Sequence, residues 1–150
     1  MRQIIPLSDL AVTSVEVAEC GEELVDLGDG ELVRAGVAGR LSRVRAALPD
    51  GLRLLVVGAC GSAGAAVDVT LCSAAREELD MGTPVRAAGG DACHTTALRL
   101  SDAAVRNREV LIRAMTAAGF VNYPARWWHW SYGDRYWAYT LGMPSARYGP

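Results

Sequence analysis

Residues 61–84 read GSAGAAVDVTLCSAAREELDMGTP: a small-residue turn, an alternating strand and a tight loop. The alternation places Ala66, Asp68, Thr70 and Cys72 on one face of the strand and Val67, Val69 and Leu71 on the other. A carboxylate in the middle of such a strand is costly unless it is paired, hydrogen-bonded or bound to a cation. Asp68 is therefore either a functional group or part of a local polar network.

The rest of the composition narrows the chemistry. With 150 residues, 51% of them hydrophobic, the chain reads as one domain, residues 1–150, with a real core. Its net charge of −2 and the lack of a basic stripe argue against nucleic acid as a partner. The apolar run 54–60 is too short to span a membrane, and MRQIIPLSDL lacks the pattern of a signal peptide, so a cytoplasmic protein is expected. Four cysteines without a C-x-x-C pair read as reduced, mostly buried thiols. All fifteen basic residues are arginine, which excludes Schiff-base chemistry and a lysine-bound pyridoxal cofactor. Imidazole chemistry must use His94 or His129, the two histidines present.

Residues 12–18 alternate loosely enough for a strand, and 22–29 end in the turn signal Gly28-Asp29-Gly30. Glu16, Glu19, Glu22, Glu23 and Asp26 read as a solvated acidic face. Val33, Val37, Leu41, Val44 and Leu48 recur at helical spacing and predict a helix over 31–48, stopped by Pro49-Asp50-Gly51. A buried strand over 52–57 follows. A second helix is predicted over 101–118, with Ser101 as N-cap and Gly119 as the C′ residue. Its buried stripe is Val105, Ile112 and Met115, with Arg108 or Leu111 between them. The aromatic runs 127–132 and 135–140 predict a β-hairpin turning at Gly133-Asp134, with Trp137 in the core. On the first of these strands Trp128 and Trp130 share one face, Trp127 and His129 the other.

Several separate motifs, in order, resemble the zinc D-alanyl-D-alanine dipeptidase family of the vancomycin-resistance type, peptidase M15. That family carries S-x-H-x-x-G-x-A-x-D, then a hydrophobic strand, then D-M-G-T. Gly64, Ala66 and Asp68 match the last three fixed positions of the first motif, and Asp80-Met81-Gly82-Thr83 match the loop. The helix and strand over 31–57, Asn107-Arg108 and Gly119-Phe120 also resemble the family, so the likeness runs over about 20–140. His129 matches the zinc-binding histidine of its E-x-W-H motif. The departures are as specific as the matches. Gly61 stands where the family has its first zinc histidine, and Arg126 where it has the general-base glutamate. The excursion that begins at the family's active-site arginine is deleted between Val57 and Gly64. Arg86 lies near a position that is often acidic in the family, and His94 near a histidine that does not bind zinc.

The resemblance implies an α+β fold with a mostly antiparallel sheet packed against helices, and Asp68 and His129 in one cleft. In the family, His, Asp and His hold zinc and leave a position open for water. Two surviving ligands make a weak site, and a nearby guanidinium repels a cation, so neither metal nor other cofactor is expected. Cys72 lies about 13 Å along the strand from Asp68, too far for joint ligation, whereas Cys60 sits on a turn of unreadable direction.

Three readings compete. The first is a repurposed, metal-independent enzyme. Asp68 and His129 would be its catalytic acid–base pair, and Arg126, Trp128, Cys60 and Tyr132 would bind a small amino-acid- or peptide-derived substrate. The second is a binding pseudoenzyme. The third is a residual zinc hydrolase that recruits Cys60. The Arg-rich, lysine-free composition suggests a high-GC bacterium and a biosynthetic setting, and a homodimer that re-covers the shortened cleft is expected.

Overall fold

The computed structural model describes residues 3–150. A single-turn helix, α1 (Leu10–Thr13), precedes a hairpin of β1 (Leu24–Asp26) and β2 (Leu32–Arg34), which leads into α2 (Ala35–Ala47). Two long strands follow, β3 (Leu52–Cys60) and β4 (Ala66–Ser73), and then an extended loop containing one 3-10 turn, Asp91–Cys93. Helix α3 (Asp102–Ala117), the short strands β5 (Val121–Asn122) and β6 (His129–Ser131), and helix α4 (Arg135–Leu141) complete the chain. The main sheet is antiparallel in the order β3-β4-β6-β5. The expected α+β architecture is what forms.

Strand β4 is the centre of this arrangement, and its first seven residues are all buried. Val67, Val69 and Leu71 enter one core with Val37, Leu41 and Val44 of α2 and Leu111 and Met115 of α3. Three valine or leucine positions at helical spacing explain why α2 packs there. Each fully buried aliphatic side chain contributes about 1.5–3 kcal/mol. Ser101 caps α3 through its hydroxyl, which accepts from the amide of Ala104 at 3.0 Å, and Gly119 takes the left-handed backbone (φ 93°) that ends the helix.

Strand β3 continues to Cys60, three residues beyond its predicted end, and a β-bulge at Val57 shifts its register. The turn after it runs directly into β4. The β1–β2 hairpin secures that turn: the Arg34 amide donates to the Gly64 carbonyl at 2.8 Å and Arg34 Nε to that of Ala63 at 2.8 Å. Gly64 is required here, since a Cβ would lie 2.6 Å from Leu24 Cδ2 on a backbone with φ 69°.

Five local expectations are corrected. Residues 12–18 form no strand. Asp9 caps α1 by accepting from the Ala11 amide, and Val17 makes one isolated bridge to Ala146. Val33 belongs to β2 rather than to the following helix, because the hairpin pairs Val25 with Val33. On α3, Val105 is exposed while Arg108 and Leu111 are both buried. The predicted C-terminal hairpin keeps only β6. Gly133 (φ 79°) turns the chain against the Tyr148 ring, and Asp134 caps α4 by accepting from the Trp137 amide at 2.8 Å. The acidic stretch is also only partly solvated. Glu22 accepts from the Gly36 amide and the Tyr148 hydroxyl, and Glu19 pairs with Arg34 at 2.7 Å.

The loop between β4 and α3 folds back over β4 and is fixed by Arg108, which is 2% exposed. Its guanidinium donates to the carbonyls of Met81, His94 and Ala92, each at 2.7 Å. Arg108→Ala strands these acceptors and is expected to cost about 3 kcal/mol or more of stability in urea unfolding. Arg108→Lys, with its different donor geometry, should recover less than half; a loss under about 1 kcal/mol for the alanine variant would contradict this role.

Candidate active site

Three adjacent strands place one residue each in a single row across the sheet: Gly58 on β3, Asp68 on β4 and His129 on β6. Residues directly opposite in antiparallel strands share a face. The row exists because of the bulge. Without the bulge, the β3 register would bring Val57 rather than Gly58 opposite Asp68. Two residues along β3, Cys60 lies on the same face as Gly58.

Asp68 and His129 are 6% and 8% exposed and are joined by His129 Nδ1 and Asp68 Oδ1 at 2.9 Å. The other oxygen, Oδ2, accepts from Arg86 Nε at 2.7 Å. Arg86 comes from the folded-back loop, and its Nη2 lies 3.9 Å from Cys60 Sγ. Its side chain remains 45% exposed toward the cleft. The guanidinium passes over Gly58, where a Cβ would lie 2.6 Å from Nη2.

The electrostatics follow from these contacts. Burial acts to raise the Asp68 carboxyl, but hydrogen bonds from His129 and Arg86, with a smaller one from Cys60, outweigh it and hold the group below its ordinary range. For Cys60, burial first and then the Asp68 charge and hydrogen bond push the thiol up to about 11; Arg86 offsets this only in part. The Asp68 hydrogen bond raises Arg86, which stays charged.

The donor atoms of Cys60, Asp68 and His129 lie within 4.8 Å of one another, a spacing that invites comparison with a metal site. The residues as arranged do not fit the zinc ion of the family. Both Asp68 oxygens are committed, one to imidazole and one to guanidinium. Among the described residues, no buried side-chain nitrogen or oxygen lacks a hydrogen-bond partner. A cation would have to displace Arg86.

Asp68 is the member of the row that lines a cleft of about 570 Å³, whose walls also include Arg86, His94, Tyr123, Arg126 and Trp128; His129 and Cys60 are not among its lining residues. Of the residues expected in the site, Asp68, His129 and Cys60 cluster, while Arg126 and Trp128 line the cleft. Arg126 precedes β6 on a turn and is exposed, so strict strand alternation does not turn it away from the cleft. Tyr132 is the exception. It is buried on the far side of β6, bonded to Arg40 Nη2 at 2.8 Å and packed on Trp137 with centroids 5.2 Å apart. His94 lines the cleft and also gives its carbonyl to Arg108. The residue that sequence reasoning passed over is Arg86. Its available signal was a positive charge near a position that resemblance marked as often acidic.

The D-M-G-T loop has a structural role. Asp80 accepts from the Gly82 amide at 2.9 Å and the Ser101 hydroxyl at 2.8 Å, and Thr83 Oγ1 accepts from Trp127 Nε1 at 2.8 Å. The loop is thereby fixed at both ends before it reaches Arg86.

Two expectations follow. A carboxyl held below its unfolded value of about 3.9 contributes stability that is fully present above that value and is lost as the pH falls through the lower folded one. Asp68→Asn should therefore be less stable than the wild type near neutrality, with the difference shrinking as the pH falls through and below the ordinary carboxyl range in pH-dependent unfolding. A gap that widens with acid would contradict the assignment. The raised Cys60 thiol should react with iodoacetamide at pH 8 roughly a hundredfold more slowly than an ordinary exposed thiol. Peptide mapping that finds Cys60 modified ahead of the exposed Cys20 would overturn this.

Among the described residues, no helix is long and apolar enough to cross a membrane. The profile of the D-ala-D-ala dipeptidase family, peptidase M15, matches residues 52–143. A D-alanyl-D-alanine dipeptidase of Synechocystis sp. (strain PCC 6803) is 34% identical over 92 residues, covering 55% of this chain and 37% of that protein. The chain thus spans little more than a third of its relative's length. The matched segment starts at Leu52, later than the expected beginning of the likeness, and contains the whole row of Gly58, Asp68 and His129 together with Arg86. This chain belongs to the D-alanyl-D-alanine dipeptidase family, peptidase M15.

Proposed function

We propose that this chain is a repurposed member of its family that performs metal-independent acid–base chemistry on a small amino-acid- or peptide-derived molecule. The observation that supports this reading is the pairing of Asp68, which lines the cleft, with both His129 and Arg86, which holds the imidazole in a fixed orientation. An ionised carboxylate only accepts hydrogen bonds, so His129 donates from Nδ1, and in the neutral ring Nε2 is the nitrogen that offers a lone pair. Asp68 fixes that tautomer and the ring orientation.

A proton taken by Nε2 from a carbon next to a carbonyl returns from the same nitrogen to that carbon, and one taken from an amine attacking a carbonyl is passed to the water, alcohol or amine that the carbonyl expels. Isomerisation, α-proton exchange and ring closure all fit this balance. Arg126 on the exposed wall suits a substrate carboxylate, Trp128 supplies an apolar wall, and the cleft has the volume of an ordinary small-molecule site. The raised thiol makes Cys60 a neighbour of the chemistry rather than its nucleophile.

A second reading, a residual metallo-hydrolase, draws on the clustering of Cys60 with Asp68 and His129. The two separate in one experiment. Dipeptides and free amino acids are incubated with chelator-treated protein in deuterium oxide, and nuclear magnetic resonance follows α-proton exchange, isomerisation and cyclisation. Turnover without metal is expected, falling at least about a hundredfold in folded His129→Ala and Asp68→Asn variants. Ligand binding with no turnover would make the protein a non-catalytic binder, and hydrolysis only on adding zinc would favour the second reading.

A further inference from the structure

Asp68 lies in the place where the family holds a cation, and here it is met by a cation that belongs to the chain. Arg86 Nε is 2.7 Å from Asp68 Oδ2, and Nη2 is 3.9 Å from Cys60 Sγ, so the guanidinium sits against two of the three clustered donor residues. The third, His129, is bonded to the same carboxylate. Gly58 completes the seat. Any side chain at that position would meet Nη2 at 2.6 Å, so the one residue opposite Asp68 on β3 is the one that leaves room for the guanidinium.

We propose that Arg86 is a built-in replacement for the metal ion: it neutralises Asp68, keeps cations out, and masks a three-donor site of Cys60, Asp68 and His129. The donor chemistry of that masked site differs from the zinc set that resemblance implies, because its sulfur comes from β3. Donor atoms about a tetrahedral zinc or cobalt ion are roughly 3–4 Å apart, so the cluster needs only to contract by about 1 Å once the guanidinium leaves. Binding would convert the thiol to a thiolate and release its proton to solvent. The guanidinium opposes this by direct repulsion of a divalent ion and by occupying the carboxylate oxygen the ion needs. The inference concerns cation occupancy and not turnover, so it can stand or fall independently of the acid–base reading.

Cobalt(II) is the probe, because a thiolate ligand produces a charge-transfer absorption that nitrogen and oxygen ligands do not. All proteins carry Cys20→Ser to remove the exposed thiol. The parent protein is expected to show no such band at equimolar cobalt. Arg86→Ala should bind one ion at least roughly a hundredfold more tightly, with the band present. The band should vanish in Arg86→Ala/Cys60→Ser. Gly58→Ala provides a milder route, since its methyl group displaces a flexible side-chain end and not backbone. It should shift cobalt affinity in the same direction, and it decides the matter if Arg86→Ala fails to fold. A parent protein that already binds one cobalt with a thiolate band would overturn the proposal. So would a gain of less than about tenfold in the folded variants, or a band that survives loss of Cys60.

Discussion

A buried carboxylate in the middle of a sheet governs this structure, because Asp68 must find positive charge or expel it. Desolvating an ion pair costs several kcal/mol per ion even after relaxation. One guanidinium at about 4 Å returns about 4 kcal/mol at an effective dielectric of about 20, and less where solvent screens it. Arg86 is nearly half exposed, so solvent screens its share, and the hydrogen bond from His129 is the larger of the two effects that hold the carboxylate charged. What the pair does provide is a fixed arrangement of charges on one face of the sheet, with imidazole and guanidinium on separate oxygens of one carboxylate.

That arrangement depends on backbone features that carry no chemistry of their own. The bulge at Val57 moves Gly58 opposite Asp68, and the glycine opens the space through which Arg86 reaches its partner. The loop carrying Arg86 is secured at its base by Asp80 and Thr83, and its body is tied to α3 by the three hydrogen bonds of Arg108. The buried guanidinium of Arg108 and the half-exposed one of Arg86 therefore act in series. The first fixes the loop, and the loop presents the second.

The sequence by itself determined the strand at 66–72, the two long helices, the α+β class and the family, because each rests on local periodicity or on motifs contiguous in the chain. It also brought Asp68 and His129 into one site, although only through resemblance, since sixty-one residues separate them. Tertiary structure decided the remainder. The aromatic run after Gly133 has strand-like composition, yet it became α4 because Asp134 could cap it and the core could take Tyr136, Trp137 and Ala138 on a helix. Tyr132 carried the same aromatic signal as Trp128, but β6 ends at Ser131, and Tyr132 bonds to Arg40 in the core instead of lining the cleft. Arg86 had no readable role, because a long flexible cation on a glycine-rich loop has no periodicity to fix its direction. Its place at Asp68 follows only from a bulge, a missing side chain at Gly58 and a folded-back loop, three features whose effects combine in space and not along the chain.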